Sequence, residues 1–301
     1  MRRTVHTRDG RLLAVEDRGD PAGWPVLVHH GTPSSRWAAF YGPWANDAAA
    51  RGLRLISFDR PGYGESSPRR GGTIADTADD VRAICAELAI ERLVTWGFSG
   101  GGPHALACAA LLPDVVAAAA TLAGLAPFDA ESLDWFAGQH RDAAEDDRLY
   151  LTDPAEAWRK LGEDREEFLN APAGTVVVDG GSTLLSEGAA VGPGGFHEYM
   201  LSCTKAGLAP GGLGWWSDKR MWFQPWRFDL ADIAVPVLLM HGRQDISVPP
   251  GHGELLAKRI PGVEVRWFDD GHSTLAQHRV PELHAWLAEQ RYRVFHQSVD
   301  S

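Results

Sequence analysis

Short apolar runs that alternate with amphipathic stretches constrain this chain most. Pro25-Val26-Leu27-Val28-His29-His30 ends in Gly31, and residues 53–58 and 93–98 form two more runs of similar length. Runs this short and this continuous read as strands buried on both faces. Between the last two, Thr73 is placed to cap a helix, with Ile74, Ala78, Val81, Cys85 and Leu88 spaced along one face. A second helix is expected over about 101–112, where Pro113 ends an Ala/Leu-rich pattern, and residues 117–122 form the next apolar run. The turn Arg8-Asp9-Gly10 before Leu12-Leu13-Ala14-Val15 is a hairpin signal. Strands alternating with helices predict an α/β fold, a mostly parallel central sheet with helices on both faces.

The rhythm breaks after residue 125. Residues 126–230 hold helix-like stretches such as 155–171, broken by Gly192-Pro193-Gly194-Gly195 and Gly211-Gly212, and are crowded with tryptophan. From Val235 it returns: a strand at 237–240, part of a helix at 254–260 and a strand at 263–268. Pro281 is expected to open a last helix, with Val280, Leu283, Trp286 and Leu287 on one face, and residues 292–301 to form a loose tail. The expected division is a core of residues 1–125 and 231–301 with a mainly helical insertion, or cap, at 126–230. A chain of 301 residues suits such a core with one insertion.

Composition narrows the partners. An apolar fraction of 44% argues against disorder. The formal net charge of −11 argues against a nucleic-acid or anionic-membrane surface. The excess is local: residues 126–230 carry 18 acidic and 9 basic side chains, against 22 and 20 elsewhere. That acidity is either a solvated helix face or a rim that disfavours anionic substrates. Cys85, Cys108 and Cys203 are too few and too scattered for a disulfide framework or a cysteine metal site, which fits a reducing cytoplasm. Met1-Arg2-Arg3 is followed by polar residues rather than an apolar signal core, and no apolar run is long enough to span a bilayer. Nothing indicates an assembly larger than a monomer or homodimer.

The chemistry centres on Gly97-Phe98-Ser99-Gly100-Gly101, between a predicted strand and a predicted helix. A tight strand-to-helix turn lifts the serine hydroxyl above the sheet, and only small neighbours fit around it. A serine hydroxyl needs a base, and the base an orienting carboxylate. His272, one of 12 histidines, stands out because Gly271-His272-Ser273 follows a predicted strand, and Asp245 follows another in His241-Gly242-Arg243-Gln244-Asp245. Asp269, Asp270 and Asp129 compete for the acid role, and strand-end placement favours Asp245. His29-His30-Gly31-Thr32-Pro33 offers an oxyanion site from the backbone N–H groups of Thr32 and Gly100, with the Thr32 hydroxyl as a third donor. Pro33 has no N–H to give.

These segments, with Asp59-Arg60-Pro61-Gly62-Tyr63-Gly64-Glu65-Ser66, lie in an order that resembles the α/β-hydrolase superfamily, in its capped branch with a serine nucleophile. The resemblance implies that Ser99, Asp245 and His272 form the catalytic triad and that Asp59 and Arg60 buttress the site. Members with an aspartate nucleophile at the elbow, the dehalogenases and epoxide hydrolases, are disfavoured by Ser99. Phe98 and Gly100 beside Ser99 depart from the proline iminopeptidase pattern. No dinucleotide fingerprint, H-E-x-x-H or C-x-x-C is present, so neither cofactor nor metal is expected.

The resulting expectation is a serine hydrolase that cleaves a carboxylic ester of a small lipophilic substrate. Phe98, Trp215, Trp216, Trp222 and Trp226 are the expected substrate-binding side chains, and Phe223 is a further lining candidate. Three alternatives stand beside it: an amide or imino-peptide hydrolase, a hydrolase of carbon–carbon bonds, and a ligand-binding receptor with a vestigial triad.

Overall fold

The computed structural model describes residues 1–172, 176–177, 184–185 and 195–297. An eight-stranded sheet is built from β1 (Arg2–His6), β2 (Leu12–Arg18), β3 (Trp24–His29), β4 (Leu53–Phe58), β5 (Leu93–Phe98), β6 (Val116–Leu122), β9 (Val237–Gly242) and β10 (Glu264–Phe268). β7 (Val176–Val177) and β8 (Leu184–Leu185) form a separate small antiparallel pair. The order in the main sheet is β1-β2-β4-β3-β5-β6-β9-β10. β2 runs antiparallel to both its neighbours, and every other pairing is parallel. The helices are α1 (Gly42–Ala50), α2 (Thr77–Glu87), α3 (Gly102–Leu111), α4 (Arg141–Thr152), α5 (Pro154–Asn170), α6 (Phe196–Leu208), α7 (Leu213–Trp222), α8 (Pro250–Arg259) and α9 (His272–Gln297).

Alternation along the buried strands sorts the core into two layers. Leu27, Leu93 and Leu239 face Val81 and Ile84 of α2, Leu106 of α3 and Leu255 and Leu256 of α8. The alternate positions Val26, Val28, Val94, Trp96 and Met240 face Trp44 of α1 and Leu275, Val280 and Leu283 of α9. The helices thus cover both faces, as the strand–helix rhythm requires. The helix expected behind Thr73 forms as a short 3₁₀ turn at Ile74–Asp76 leading into α2, and the Thr73 N–H donates to the Asp76 carboxylate at 2.7 Å.

Two expectations need correction. Pro281 does not start a helix: α9 already begins at His272, and Pro281 lies inside it. The helix continues to Gln297 through residues expected as tail, of which 298–301 lie outside the described residues, as do Gly192, Pro193 and Gly194 of the first glycine-rich loop. The segment before the hairpin turn is a strand, β1, in which only Val5 of the five residues is buried. Such an edge strand buries too little to leave an apolar pattern.

Helices α4 to α7 occupy the chain between β6 and β9. They cluster around a residue of the loop after β4: Tyr63, fully buried, packs with Tyr150, Leu161, Phe168, Leu208 and Trp215. The approach is backbone to backbone. The Gly214 N–H donates to the Gly62 carbonyl (3.2 Å) and the Gly64 N–H to the Gly207 carbonyl (2.9 Å). Gly62 has φ +86°, and a Cβ there would lie 2.7 Å from the Gly214 nitrogen.

Gly62→Ala should therefore cost about 3 kcal/mol, combining left-handed strain with a backbone clash. Gly71→Ala, at φ +61° with nothing within 4 Å of the new Cβ, should cost about 1 kcal/mol. Urea unfolding of the two variants checks the difference.

The three cysteines are buried and free. Burial pushes the Cys85 thiol up to about 11, that of Cys203 up to about 12, and Cys108 higher still. Alkylation at pH 8 should leave the native protein unmodified and label all three thiols after denaturation, as mass spectrometry would show.

Candidate active site

Ser99 follows β5 directly and has φ +53°, a left-handed conformation uncommon outside glycine. Its neighbours explain how the chain reaches it. A Cβ at Gly97 would overlap the Gly101 carbonyl, and one at Gly101 would overlap the His29 carbonyl at the end of β3. The turn closes only with glycine at both places, and a 3₁₀ turn at Ser99–Gly101 then feeds α3.

Asp245, in the loop after β9, is 2% exposed. One carboxylate oxygen accepts the N–H groups of Ser247 (2.9 Å) and Val248 (2.8 Å), and the other accepts from His272 Nδ1 at 2.7 Å. Burial alone would raise its pKa. The charge and hydrogen bond of His272, with His241 and the Val248 N–H, outweigh burial and hold it below the usual carboxylate range. The Nδ1 proton of His272 is thereby assigned, and in the neutral ring the lone pair lies on Nε2. Phe98 packs against the same ring, with centroids 4.7 Å apart.

The competing acids have other roles or positions. Asp270 pairs with Arg279 at 2.8 Å and lies 3.4 Å from His278, while Asp269 is exposed. Asp59 is a scaffold residue: it accepts the N–H groups of Arg36 (2.8 Å) and Glu65 (3.0 Å) and pairs with the Arg36 guanidinium.

Two cavities, of about 210 and 170 Å³, share Ser99, His272, Thr32, Pro33, Phe168 and Ser273 in their walls. The larger is bordered by Trp135, Tyr150, Trp215 and Trp222, and also by Asp146, Asp147, Lys160, Asp164 and Lys219. Phe98, Trp44, Trp96, Phe196 and Met200 border the smaller. Of the five side chains expected to bind substrate, Phe98, Trp215 and Trp222 border these cavities. Trp216 and Trp226 border neither cavity. Trp216 turns to Tyr150 and Trp158, with centroids 5.1 and 5.3 Å away, and Trp226 stacks on Phe228 with its side chain buried in the core. Phe223 is likewise absent from both walls and packs edge-on to Phe128 at 5.2 Å.

Thr32 lies over the elbow. A Cβ at Gly100 would overlap Thr32 Oγ1 and come within 2.8 Å of Trp222, so the two segments expected to supply oxyanion donors are in contact. The Thr32 hydroxyl is not the third donor foreseen. It accepts from Arg60 Nη2 (2.9 Å) and donates to the carboxylate of Asp218 (2.5 Å), which comes from α7. No sequence signal marked Asp218, because its partners lie more than 150 residues away.

Among the described residues no cluster of His, Cys, Asp or Glu is arranged to hold a metal ion, and no helix is long and apolar enough to cross a membrane.

Residues 25–175 match the model of a family described as alpha/beta hydrolase fold. The chain is 26% identical over 291 residues to the AB hydrolase superfamily protein YisY of Bacillus subtilis, covering 91% of this chain and 94% of that one. It is 31% identical over 267 residues to a non-heme chloroperoxidase of Streptomyces lividans, with 84% and 88% covered. Among solved structures, the esterase RhEst1 from a Rhodococcus species superposes with a TM-score of 0.67 at 22% identity, over 95% of this chain and 98% of that one. The serine elbow, the buried Asp245–His272 pair and the parallel sheet that carries them accord with these likenesses, and the chain belongs to the alpha/beta hydrolase fold family.

Proposed function

We propose that this chain is a serine hydrolase that cleaves a carboxylic ester through an acyl-enzyme, with Ser99 as nucleophile, His272 as general base and Asp245 as its orienting acid. One observation carries the reading. The Asp245 carboxylate holds His272 by Nδ1 at 2.7 Å, and that imidazole shares cavity walls with a serine in strained left-handed backbone. In the proposed mechanism His272 takes the hydroxyl proton as Ser99 attacks the carbonyl carbon, and Asp245 stabilises the imidazolium. The backbone N–H groups of Thr32 and Gly100 bind the oxyanion, a contribution of several kcal/mol for aimed donors. The alcohol leaves with the proton from His272, and water activated by the same ring releases the acid.

The paired cavities suit a substrate with two unlike halves about the scissile bond. The smaller, lined by Trp44, Trp96, Phe98, Phe196 and Met200, takes an apolar group. The larger carries three aspartates against two lysines: Lys160 lies 3.3 Å from both Asp146 and Asp164, and Lys219 pairs with Asp147. A neutral or amine-bearing group fits it better than an anion. In this reading residues 126–230 act as the lid of the site. The same acidic wall is the observation that favours an amide or imino-peptide substrate as the second reading.

Ser99→Ala should abolish both p-nitrophenyl ester turnover and labelling by a fluorophosphonate probe. Asp245→Asn should lower kcat by roughly 10³- to 10⁴-fold through the wrong imidazole tautomer. Retained turnover in Ser99→Ala would overturn the mechanism. Comparing aryl-ester with proline-arylamide turnover separates the two readings.

The charge can be tested residue by residue. At low salt, Asp146→Asn with Asp164→Asn should shift preference from cationic toward anionic esters by roughly 3- to 10-fold. Glu163→Gln with Glu166→Gln, at positions about 60% exposed and outside both cavities, should change it less than about twofold. Equal shifts from both pairs would remove the acidic wall from the specificity argument.

A further inference from the structure

Asp218 of α7 joins the helices between β6 and β9 to the loops after β3 and β4. It is 1% exposed, and its carboxylate receives donors from three core side chains: Arg60 (Nη2 at 2.5 Å and Nε at 3.3 Å), Tyr63 (Oη at 2.8 Å) and Thr32 (Oγ1 at 2.5 Å). His104 Nε2 lies 3.9 Å from its other face. Arg60 is equally buried and is itself fastened to the loop after β3, donating to the carbonyls of His30 and Gly31 as well as to Thr32. The pair therefore grips Thr32 twice, through Arg60 from the core and through Asp218 from α7.

The same helix turns Trp215, Lys219 and Trp222 into the larger cavity, and Trp222 touches the space beside Gly100. Its first turn is seated on Gly62 and Tyr63 by the Gly214–Gly62 hydrogen bond. One rigid helix thus shapes the substrate cavity and fixes the side chain of the residue whose N–H is the proposed oxyanion donor. A buried ion pair adds little net stability over a packed apolar pair, but it fixes geometry, because its donors and acceptors accept few arrangements.

We propose that Asp218 is a positioning residue for the reaction: by holding the Thr32 hydroxyl from α7, it sets the Thr32 N–H against Gly100, and the oxyanion site is complete only when α7 is seated. The inference rests on the serine-hydrolase reading. It acts through Thr32, and Asp218 itself does not touch substrate. Tight substrate binding and transition-state stabilisation are separable in this arrangement, because the cavity walls remain when the Thr32 tether is cut.

The experiment is a kinetic cycle on an aryl ester. Asp218→Asn places an amide N–H₂ among groups that donate, and Thr32→Val keeps the backbone N–H but cannot donate to Asp218. Each should lower kcat by about 30-fold or more with KM within about threefold, while Thr32→Ser should retain at least about a third of the activity. The double variant should be no worse than about threefold below the weaker single, because both cut one link. In a Ser99→Ala background, Asp218→Asn should leave substrate affinity, read by tryptophan fluorescence, within about threefold. Single variants that keep kcat within threefold, a loss confined to KM, or multiplying losses in the double variant would each overturn the proposal. If Asp218→Asn does not fold, the Thr32→Val and Thr32→Ser pair decides by itself. Activity surviving in Ser99→Ala would instead sink the reading of the site.

Discussion

Close packing at residues 97–102 is the constraint on which the rest of this structure depends. A Cβ at Gly97 would strike the Gly101 carbonyl, at Gly101 the His29 carbonyl of β3, and at Gly102 the Thr121 hydroxyl of β6. The middle strands β3, β5 and β6 therefore meet the start of α3 with no room for side chains. Phe98 and Ser99 alone carry side chains in this stretch, and Ser99 does so at φ +53°, a conformation that is costly for any residue but glycine. Backbone strain of this kind persists only where the surroundings over-determine it. Here they do so with a parallel sheet on one side and a helix on the other.

Helices α6 and α7 are bound to this frame by the same device. Gly207 of α6 has no space for a Cβ against the Ser34 carbonyl, and Gly214 of α7 none against Tyr63. Hydroxyls complete the seam: Thr204 donates to the Pro33 carbonyl at 3.0 Å and Ser35 to that of Cys203 at 2.8 Å. Both helices consequently dock on the loops after β3 and β4, the first of which meets the elbow where Thr32 lies against Gly100. The Asp218–Arg60 pair lies in that seam, so the carboxylate that α7 buries there finds its donors in Arg60, Tyr63 and Thr32.

How much of this was legible follows from the range of each interaction. The elbow, α2 and the strand ends carrying Asp245 and His272 announce themselves within a few residues, because turn geometry and helical periodicity are local. Trp215 and Trp216 show where locality fails. Successive helical residues project about 100° apart, so one tryptophan reaches the cavity and the next packs on Tyr150 and Trp158, and composition does not say which. Pro281 misled because a proline that suits a helix start also occurs inside a helix, as it does in α9. Asp218, Trp135 and the wall of Trp44, Trp96 and Phe196 could not be read at all, since each acquires its place only from contacts across the assembled fold.

The acidity of residues 126–230 divides by helix face. Glu163, Glu166 and Glu167 of α5 are exposed, and Arg159 and Arg165 pair with the first two at the surface. Such pairs contribute little and are screened by salt. Asp146, Asp147 and Asp164 instead border the larger cavity, and burial raises the pKa of Asp146 and Asp164 despite their shared Lys160. Charge is costly where it is partly desolvated, and three carboxylates against two ammonium groups leave one negative charge unmatched there. The excess that looked like a bulk property of residues 126–230 thus has two origins, a solvated outer face and a smaller inner set, and only the inner set faces the chamber shared with Ser99 and His272.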